Sequence, residues 1–139
     1  MSESYLDAWI HLHRSSQKMI AAIETDLKAA DLPPLAWYDI LLELKKAGAD
    51  GLRPFQLRDK VLMAQYNLSR LVDRLVRTNH IRRIPCKEDG RGHSLIATGK
   101  GLALQHKMWP LYQRSIETHF FSKLTEDEIL LISPVLKKL

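Results

Sequence analysis

The sequence predicts a mainly α-helical protein with one small β-hairpin. Two observations predict this fold class: apolar residues recur at helical spacing over most of the chain, and two strand-like segments flank one short polar stretch that contains glycine. The 139 residues are 45% hydrophobic and 27% charged, which is typical of a folded globular chain. This length fits one domain, so we expect a single domain over residues 1–139.

The first part of the chain predicts two helices. Apolar residues over 5–27 follow a helical repeat, and the segment 31–34, with its two prolines, ends that helix. A second helix runs to about Ala47, where Gly48 and Gly51 allow the chain to turn.

Two shorter helices follow with a brief connection between them. Pro54 opens the first, the break lies near residues 63–64, and the second carries apolar residues at 68, 71, 72, 75 and 76. Two helices joined by a short turn have the spacing of a helix-turn-helix.

The segments 81–85 and 94–98 predict the strands of the hairpin, with the polar stretch 87–93 between them. A hairpin directly after a helix-turn-helix forms the wing of a winged helix-turn-helix. We therefore expect a basic hairpin tip beside the second short helix.

The chain ends in two more predicted helices. Thr98 caps a long helix that reaches toward Phe121 and that Pro110 should kink. Thr125, followed three residues later by a glutamate, forms a capping box for the last helix, which we expect to be bent or interrupted at Pro134.

Positive charge is concentrated in the middle of the chain. Residues 52–93 hold ten Lys and Arg against four acidic residues, a balance of +6, whereas the whole chain carries +5. This local excess favours a polyanion, and nucleic acid above all, as the partner. The alternative is an ordinary solvated basic surface.

Several other classes of protein are disfavoured. We find no catalytic set of side chains, and residues 99–101 lack the spacing of a phosphate-binding loop, so we expect neither an enzyme nor a cofactor. The apolar runs are too short to span a membrane, and the acidic start is no secretory signal, which favours the cytoplasm. Cys86 is the only cysteine, and His11 and His13 point to different sides of a helix, so we expect no metal site. Oxidant sensing by Cys86 is the minor alternative to an inert strand residue.

Three stretches at these spacings resemble one known family. They are LPPLAWYDILLEL at 32–44, NLSRLVDRL at 67–75, and DGR at 89–91 followed by the strand-to-helix junction at 97–98. Together they resemble the winged helix-turn-helix of MarR-type (multiple antibiotic resistance regulator) transcription factors. The resemblance implies a DNA-binding lobe over 32–98, with the helices of 1–31 and 99–139 forming a dimerisation region.

The candidate DNA-binding residues lie on the second short helix and the wing. On the helix, polar residues between the apolar ones face outward, where they can meet base edges in the major groove or phosphates: they are Gln65, Tyr66, Asn67, Ser69 and Arg70. Arg74, Arg77, Arg53 and Lys87 are expected phosphate contacts. Arg91 is expected to enter the minor groove, and Asp89 to orient an arginine. Of Arg82 and Arg83, strand alternation turns only one toward DNA.

The resemblance also implies a homodimer that reads a pseudo-palindromic operator in double-stranded DNA. Terminal residues are the candidate dimer contacts, with an intramolecular core as the alternative for some of them: they are Tyr5, Leu6, Trp9, Trp109, Tyr112, Phe120, Phe121, Leu131 and Leu136. Members of the family often bind small aromatic or phenolic anions, and we place such an effector in a notch of His13, Gln17, Trp37 and Tyr38. The alternative is that these polar residues satisfy one another or face the partner chain.

The sequence thus predicts a dimeric, sequence-specific DNA-binding transcriptional regulator, a repressor released by a small molecule. The alternative is a winged-helix module that binds an acidic protein and reads no DNA sequence.

Overall fold

The computed structural model describes residues 1–62, 67–86 and 92–139, and in this part of the chain it confirms the predicted fold class. Six α-helices and one antiparallel hairpin are present in these ranges, with short 3₁₀ turns after the second and fifth helices. In chain order the elements are α1 (Glu3–Ala29), α2 (Leu35–Ala47), α3 (Pro54–Lys60), α4 (Leu68–Arg77), β1 (Ile81–Pro85), β2 (His93–Ala97), α5 (Gly99–His119) and α6 (Glu126–Leu136).

The chain divides into two compact units. One comprises Pro33–Trp109, from the prolines before α2 to the middle of α5, and the other comprises Met1–Leu32 together with Pro110–Leu139. None of the described helices is long and apolar enough to cross a membrane.

The unit Pro33–Trp109 has a core formed by helices α2, α3 and α4 and the hairpin. Its fully buried side chains include Leu41, Leu57 and Leu75, each of which is 0% exposed. The strands pair from Ile81 opposite Ala97 to Pro85 opposite His93. Leu52 adds an isolated antiparallel bridge to Leu95, with backbone N–O distances of 3.0 and 2.7 Å, so the hairpin is attached to the segment before α3.

Helices α1 and α4 end in the same way, with a non-glycine residue in the left-handed region. After α4, Asn79 has φ 65°, the Asn79 amide bonds Val76 O and the His80 amide bonds Leu75 O. This is the Schellman pattern, which satisfies the last carbonyls of a helix. Asp31, at φ 56°, closes α1 with the equivalent pair of bonds. The turn that stops α1 therefore lies at Asp31, within the segment 31–34 where the sequence predicts the stop.

The predicted caps of the last two helices are confirmed. Thr98 Oγ1 accepts a hydrogen bond from Gly101 N at 3.1 Å at the start of α5. At the start of α6, Thr125 Oγ1 accepts from Glu128 N at 3.2 Å.

Pro134 does not interrupt α6, so the interruption expected there is wrong, while the bend expected as the alternative stays a prediction. The helix continues to Leu136, and Lys137 N still bonds Ser133 O at 3.3 Å, across the proline. A proline this close to the helix end removes one backbone donor, and the last turn tolerates the loss. Helix α5 also runs through Pro110, and the kink expected there stays a prediction.

Candidate nucleic-acid interface

Helix α4 has an apolar side and a cationic side. Val72 and Leu75 are buried, and Leu68 and Leu71 pack against the same core cluster. The exposed residues of the helix are Ser69, Arg70, Asp73, Arg74 and Arg77. The predicted inward and outward sides of this helix are confirmed, and three guanidinium groups are available on its surface.

Asn67 is the N-cap of α4. Its Oδ1 accepts a hydrogen bond from Arg70 N at 3.2 Å, which satisfies one of the amides that an α-helix leaves free at its start. The sequence predicts a contact of Asn67 with a base edge or with a phosphate. A bidentate contact to adenine uses the nitrogen of the amide and the second acceptor position of its oxygen, so the cap limits the side-chain orientations in which Asn67 can make one. The signal was present in the sequence, because asparagine is a preferred N-cap.

An ion pair connects α4 to the hairpin. Arg83 Nη2 of β1 donates to Asp73 Oδ1 of α4, and both side chains are largely exposed. This contact neutralises the one carboxylate of α4, which would otherwise repel phosphate. Of the two neighbouring arginines of β1, Arg83 is therefore the one that contacts α4. Arg82 is exposed, and strand alternation places it on the other side of β1.

Trp37 of α2 supports the middle of α4. The guanidinium carbon of Arg74 lies 6.0 Å from the centre of the indole ring, within the range of a cation–π contact. The ring of His80 meets the same indole edge-on, with ring centres 5.5 Å apart. Burial, and then the nearby charge of Lys100, lower the pKa of His80.

Arg53, an expected phosphate contact before α3, lies beside Gly92, the residue that precedes β2. Its Nη2 is 3.0 Å from the position that a Cβ on Gly92 would occupy. Its backbone amide donates to Gln56 Oε1 at 2.9 Å, which fixes the first turn of α3. The arginine is thus held where the helix-turn-helix and the wing come together.

Five predicted DNA-binding residues lie outside the described residues. They are Gln65 and Tyr66 before α4, and Lys87, Asp89 and Arg91 of the wing tip. Their predicted contacts stay predictions.

The predicted effector residues have different surroundings. His13 and Gln17 are exposed on α1. Tyr38 is buried and stacks on Trp109, with ring centres 6.0 Å apart, whereas the neighbouring Trp37 packs on His80 and Arg74. The pKa of Tyr38 is raised because burial raises it by more than a hydrogen bond with Gln105 lowers it.

A polar cluster in the unit of the chain ends was not predicted from the sequence. Asp26 Oδ2 accepts hydrogen bonds from Ser115 Oγ at 2.6 Å and from His119 Nε2 at 2.9 Å. These bonds, that of Ser115 first, lower the pKa of the Asp26 carboxyl. They connect the last turns of α1 to those of α5 across about ninety residues of sequence, and no local pattern marks such a pair.

Within the ranges that the structure describes, no three His, Cys, Asp or Glu side chains come together as a metal site would require. Cys86 is half-buried at the end of β1, and its amide donates to Gly92 O at 3.3 Å.

These features can be compared with known proteins. A sequence model of the MarR family matches residues 30–92. The solved structure of AbsC, a MarR family transcriptional regulator from Streptomyces coelicolor, matches with a TM-score of 0.83 and 25% identity, over 99% of this chain and 93% of AbsC. The chain therefore matches the MarR family over residues 30–92 and has the winged-helix fold of MarR-family regulators.

Two further proteins extend the comparison. The HTH-type transcriptional regulator PrsX of Escherichia coli is 28% identical over 102 residues, which is 73% of this chain and 61% of PrsX. The match therefore spans less than two thirds of that relative. BpsR of Bordetella bronchiseptica shares the fold, with a TM-score of 0.80 and 20% identity over 99% of this chain and 91% of BpsR. Its structure concerns the regulation of the DNA binding of BpsR by 6-hydroxynicotinic acid.

Proposed function

We propose that this protein is a dimeric, sequence-specific DNA-binding transcriptional regulator of the cytoplasm, a repressor that a small molecule releases from its operator. The observation that carries the proposal is the cationic, exposed side of α4, the second helix of the helix-turn-helix. A helix of this kind fits the major groove, and its first turns meet base edges there.

The charges around α4 suit a nucleic-acid partner. Exposed cations occur on α3, α4 and β1: they are Arg58, Lys60, Arg70, Arg74, Arg77 and Arg82. The carboxylate of Asp73 is paired with Arg83, so it does not stand alone against a phosphate backbone. Contacts to phosphates orient a protein on DNA, and contacts to base edges supply sequence preference. We assign Ser69 and Arg70 to base edges because they lie in the first turn of α4, together with Gln65 and Tyr66 just before it.

The unit of the chain ends supports a dimer. On α1, Tyr5 is 73% exposed and Trp9 66%, and on α6 Leu130 is 66% exposed and Leu131 71%. Apolar patches of this kind on one chain are typical of protein interfaces. We propose that a second copy covers them, so that residues 1–31 and 99–139 form the dimerisation region and 32–98 the DNA-binding lobe. Two recognition helices would then read two half-sites of a pseudo-palindrome.

A small aromatic acid or phenol is the proposed effector. The BpsR comparison supports this class, since 6-hydroxynicotinic acid is an aromatic acid with a ring hydroxyl. We keep His13, Gln17, Trp37 and Tyr38 as the proposed contacts, because imidazole and amide donors with aromatic rings suit such an anion. An effector that binds more tightly to the state whose recognition-helix separation does not fit the operator lowers operator affinity. The size of the decrease is set by the difference in effector affinity between the two states.

The DNA-binding proposal predicts different outcomes for two arginines of α4. We expect Arg70→Ala to weaken operator binding by about 10- to 100-fold and to relax base preference, because a bidentate base contact discriminates by about 1–3 kcal/mol. We expect Arg77→Ala to weaken all duplexes alike and to reduce the slope of log affinity against log salt by about one. The measurement is fluorescence anisotropy with duplexes selected by the protein from a random pool, and with scrambled controls.

Lys107→Ala is the charge-matched control, since Lys107 is exposed on α5. It should bind as the wild type does, and titration of a selected duplex should give two chains per site. If selection yields no preferred sequence and all duplexes bind equally, the proposal fails and the protein-binding alternative replaces it.

The effector proposal predicts that His13→Ala weakens the response to a ligand. A panel of aromatic acids and phenols, beginning with 6-hydroxynicotinic acid and salicylate, is added to the protein–operator complex and the loss of anisotropy is recorded. We expect at least one compound to release the wild-type protein from the operator. The variant should need a ligand concentration about tenfold higher for the same release. His11→Ala is the control, because His11 is also exposed and lies two residues away on α1. An unchanged response in His13→Ala would rule out this residue as a contact.

A further inference from the structure

The backbone that leaves the recognition helix α4 is held by the segment that begins α5. Three successive carbonyl oxygens are involved. Lys100 Nζ donates to Thr78 O at 2.9 Å, Thr98 Oγ1 donates to Asn79 O at 2.5 Å, and Thr98 N donates to His80 O at 3.1 Å. We call this set of contacts the α4–α5 clamp.

Thr98 is the centre of the clamp because its hydroxyl serves both helices. While Oγ1 donates to Asn79 O, it also accepts from Gly101 N at 3.1 Å and so caps α5. A hydroxyl group has one donor and two acceptor positions, so both bonds can be made together. The end of one helix and the start of the next are therefore fixed by one atom.

Lys100 adds a charge where it stabilises the end of α4. The carbonyls at a helix C-terminus carry partial negative charge, and an ammonium group there is favourable. The ammonium group lies close enough to His80 to add to the lowering of the pKa of that ring. The Nδ1 atom of this ring lies 2.7 Å from Thr78 Oγ1. Lys100 is exposed, yet its contact is with the protein backbone.

The length of α4 explains why its far end needs such a clamp. A helix of ten residues is about 15 Å long, so a tilt of about 10° about one end moves the other end by about 2.6 Å. A hydrogen bond to a base edge tolerates a few tenths of an ångström. The orientation of α4 at its C-terminal end thus decides whether its first turn meets the bases.

We propose that Thr98 and Lys100 are positioning residues for DNA recognition, which hold the C-terminal end of α4 against the first turn of α5 so that its N-terminal end keeps the geometry for reading bases. This inference rests on the proposed DNA-binding function. Neither residue contacts DNA in this proposal.

The test uses Lys100→Met and Thr98→Val, each close in size to the original residue. We expect each variant to bind the selected operator about five- to twentyfold more weakly and to lose part of its preference over a scrambled duplex, because base contacts depend on the orientation of α4. The salt slope should stay at the wild-type value, since no phosphate contact is removed. Lys100→Arg, which can still donate to Thr78 O, should recover most of the affinity.

Controls separate positioning from charge and from stability. Lys107→Met removes the same charge from the same helix and should bind like the wild type. Urea denaturation locates conditions in which each variant is fully folded, and binding is measured there. Lys100→Met should fold normally, because its side chain is exposed.

Three results would overturn the inference. Unchanged affinity and preference in Lys100→Met would show that the clamp does not position α4. A salt slope reduced by about one would make Lys100 a phosphate contact instead. A wild-type protein without sequence preference would remove the proposed function and this inference with it, whereas a selective wild type with silent clamp variants would remove the inference alone.

Discussion

Gly101→Ala should lower the free energy of unfolding by about 3 kcal/mol or more, the largest effect that we expect from a single methyl group in this protein. A Cβ at position 101 would lie 2.1 Å from His80 O and 3.0 Å from Leu41 Cδ2. The first of these atoms belongs to the backbone and is bonded to Thr98, so it cannot move without opening the α4–α5 clamp. Overpacking of this kind costs about 1–3 kcal/mol, and more where backbone must shift.

Gly99→Ala is the matched control, two residues earlier in the same helix. A Cβ there meets nothing within 4 Å, so the substitution should leave stability unchanged or raise it by a few tenths of a kcal/mol through helix propensity. Urea denaturation followed by circular dichroism, at one protein concentration, measures both variants. Equal midpoints for Gly101→Ala and Gly99→Ala would contradict the close packing of α5 against the end of α4.

Gly51→Ala is the second large effect, and Gly48→Ala is its control. Both glycines have φ 68° with ψ near the extended range, a region that only glycine occupies readily, so each alanine carries a backbone cost of about 1–3 kcal/mol. A Cβ on Gly51 would in addition lie 2.3 Å from Leu95 O and 2.8 Å from Ile96 Cγ2, whereas one on Gly48 meets nothing within 4 Å.

The difference between these two variants isolates the contact with the hairpin. We expect Gly51→Ala to have a lower midpoint urea concentration than Gly48→Ala. The difference should correspond to a free energy of unfolding that is lower by about 2 kcal/mol. Leu95 O is also the acceptor for Leu52 N, so the added methyl group would disrupt the bridge that attaches β2 to the segment before α3. If the two variants lose the same stability, the hairpin does not approach Gly51 as closely as described.

The helices and the hairpin could be predicted because each follows a local repeat. Leu68, Leu71 and Leu75 return to the same side of a helix, and β1 and β2 are short runs on either side of a polar stretch. The capping box at Thr125 has a fixed spacing of three residues, which makes it visible in one sequence. The interruption expected at Pro134 is absent because the effect of a proline depends on how much helix follows it, and α6 ends two residues later.

The contacts that shape the interface could not be predicted in this way. The pairs Asp73 with Arg83 and Lys100 with the Thr78 carbonyl lie ten and twenty-two residues apart, and the distance between their partners depends on how α4 packs. The Asp26 cluster joins residues about ninety positions apart. Residue types and charge identified the cationic region, but only the packed structure shows which cations are engaged with neighbouring groups and which are exposed.

The N-cap at Asn67 has a consequence for how such a protein acquires a new operator. Its amide oxygen is committed to Arg70 N whatever base pair lies opposite, so most replacements at this position fray α4 before they alter a preference. Ser69 and Arg70 are exposed, and their side chains make no hydrogen bond or ion pair within residues 1–62, 67–86 and 92–139. Divergence between paralogues, or a library built to retarget the protein, should therefore vary positions 69 and 70 freely while asparagine, aspartate, serine or threonine persists at 67.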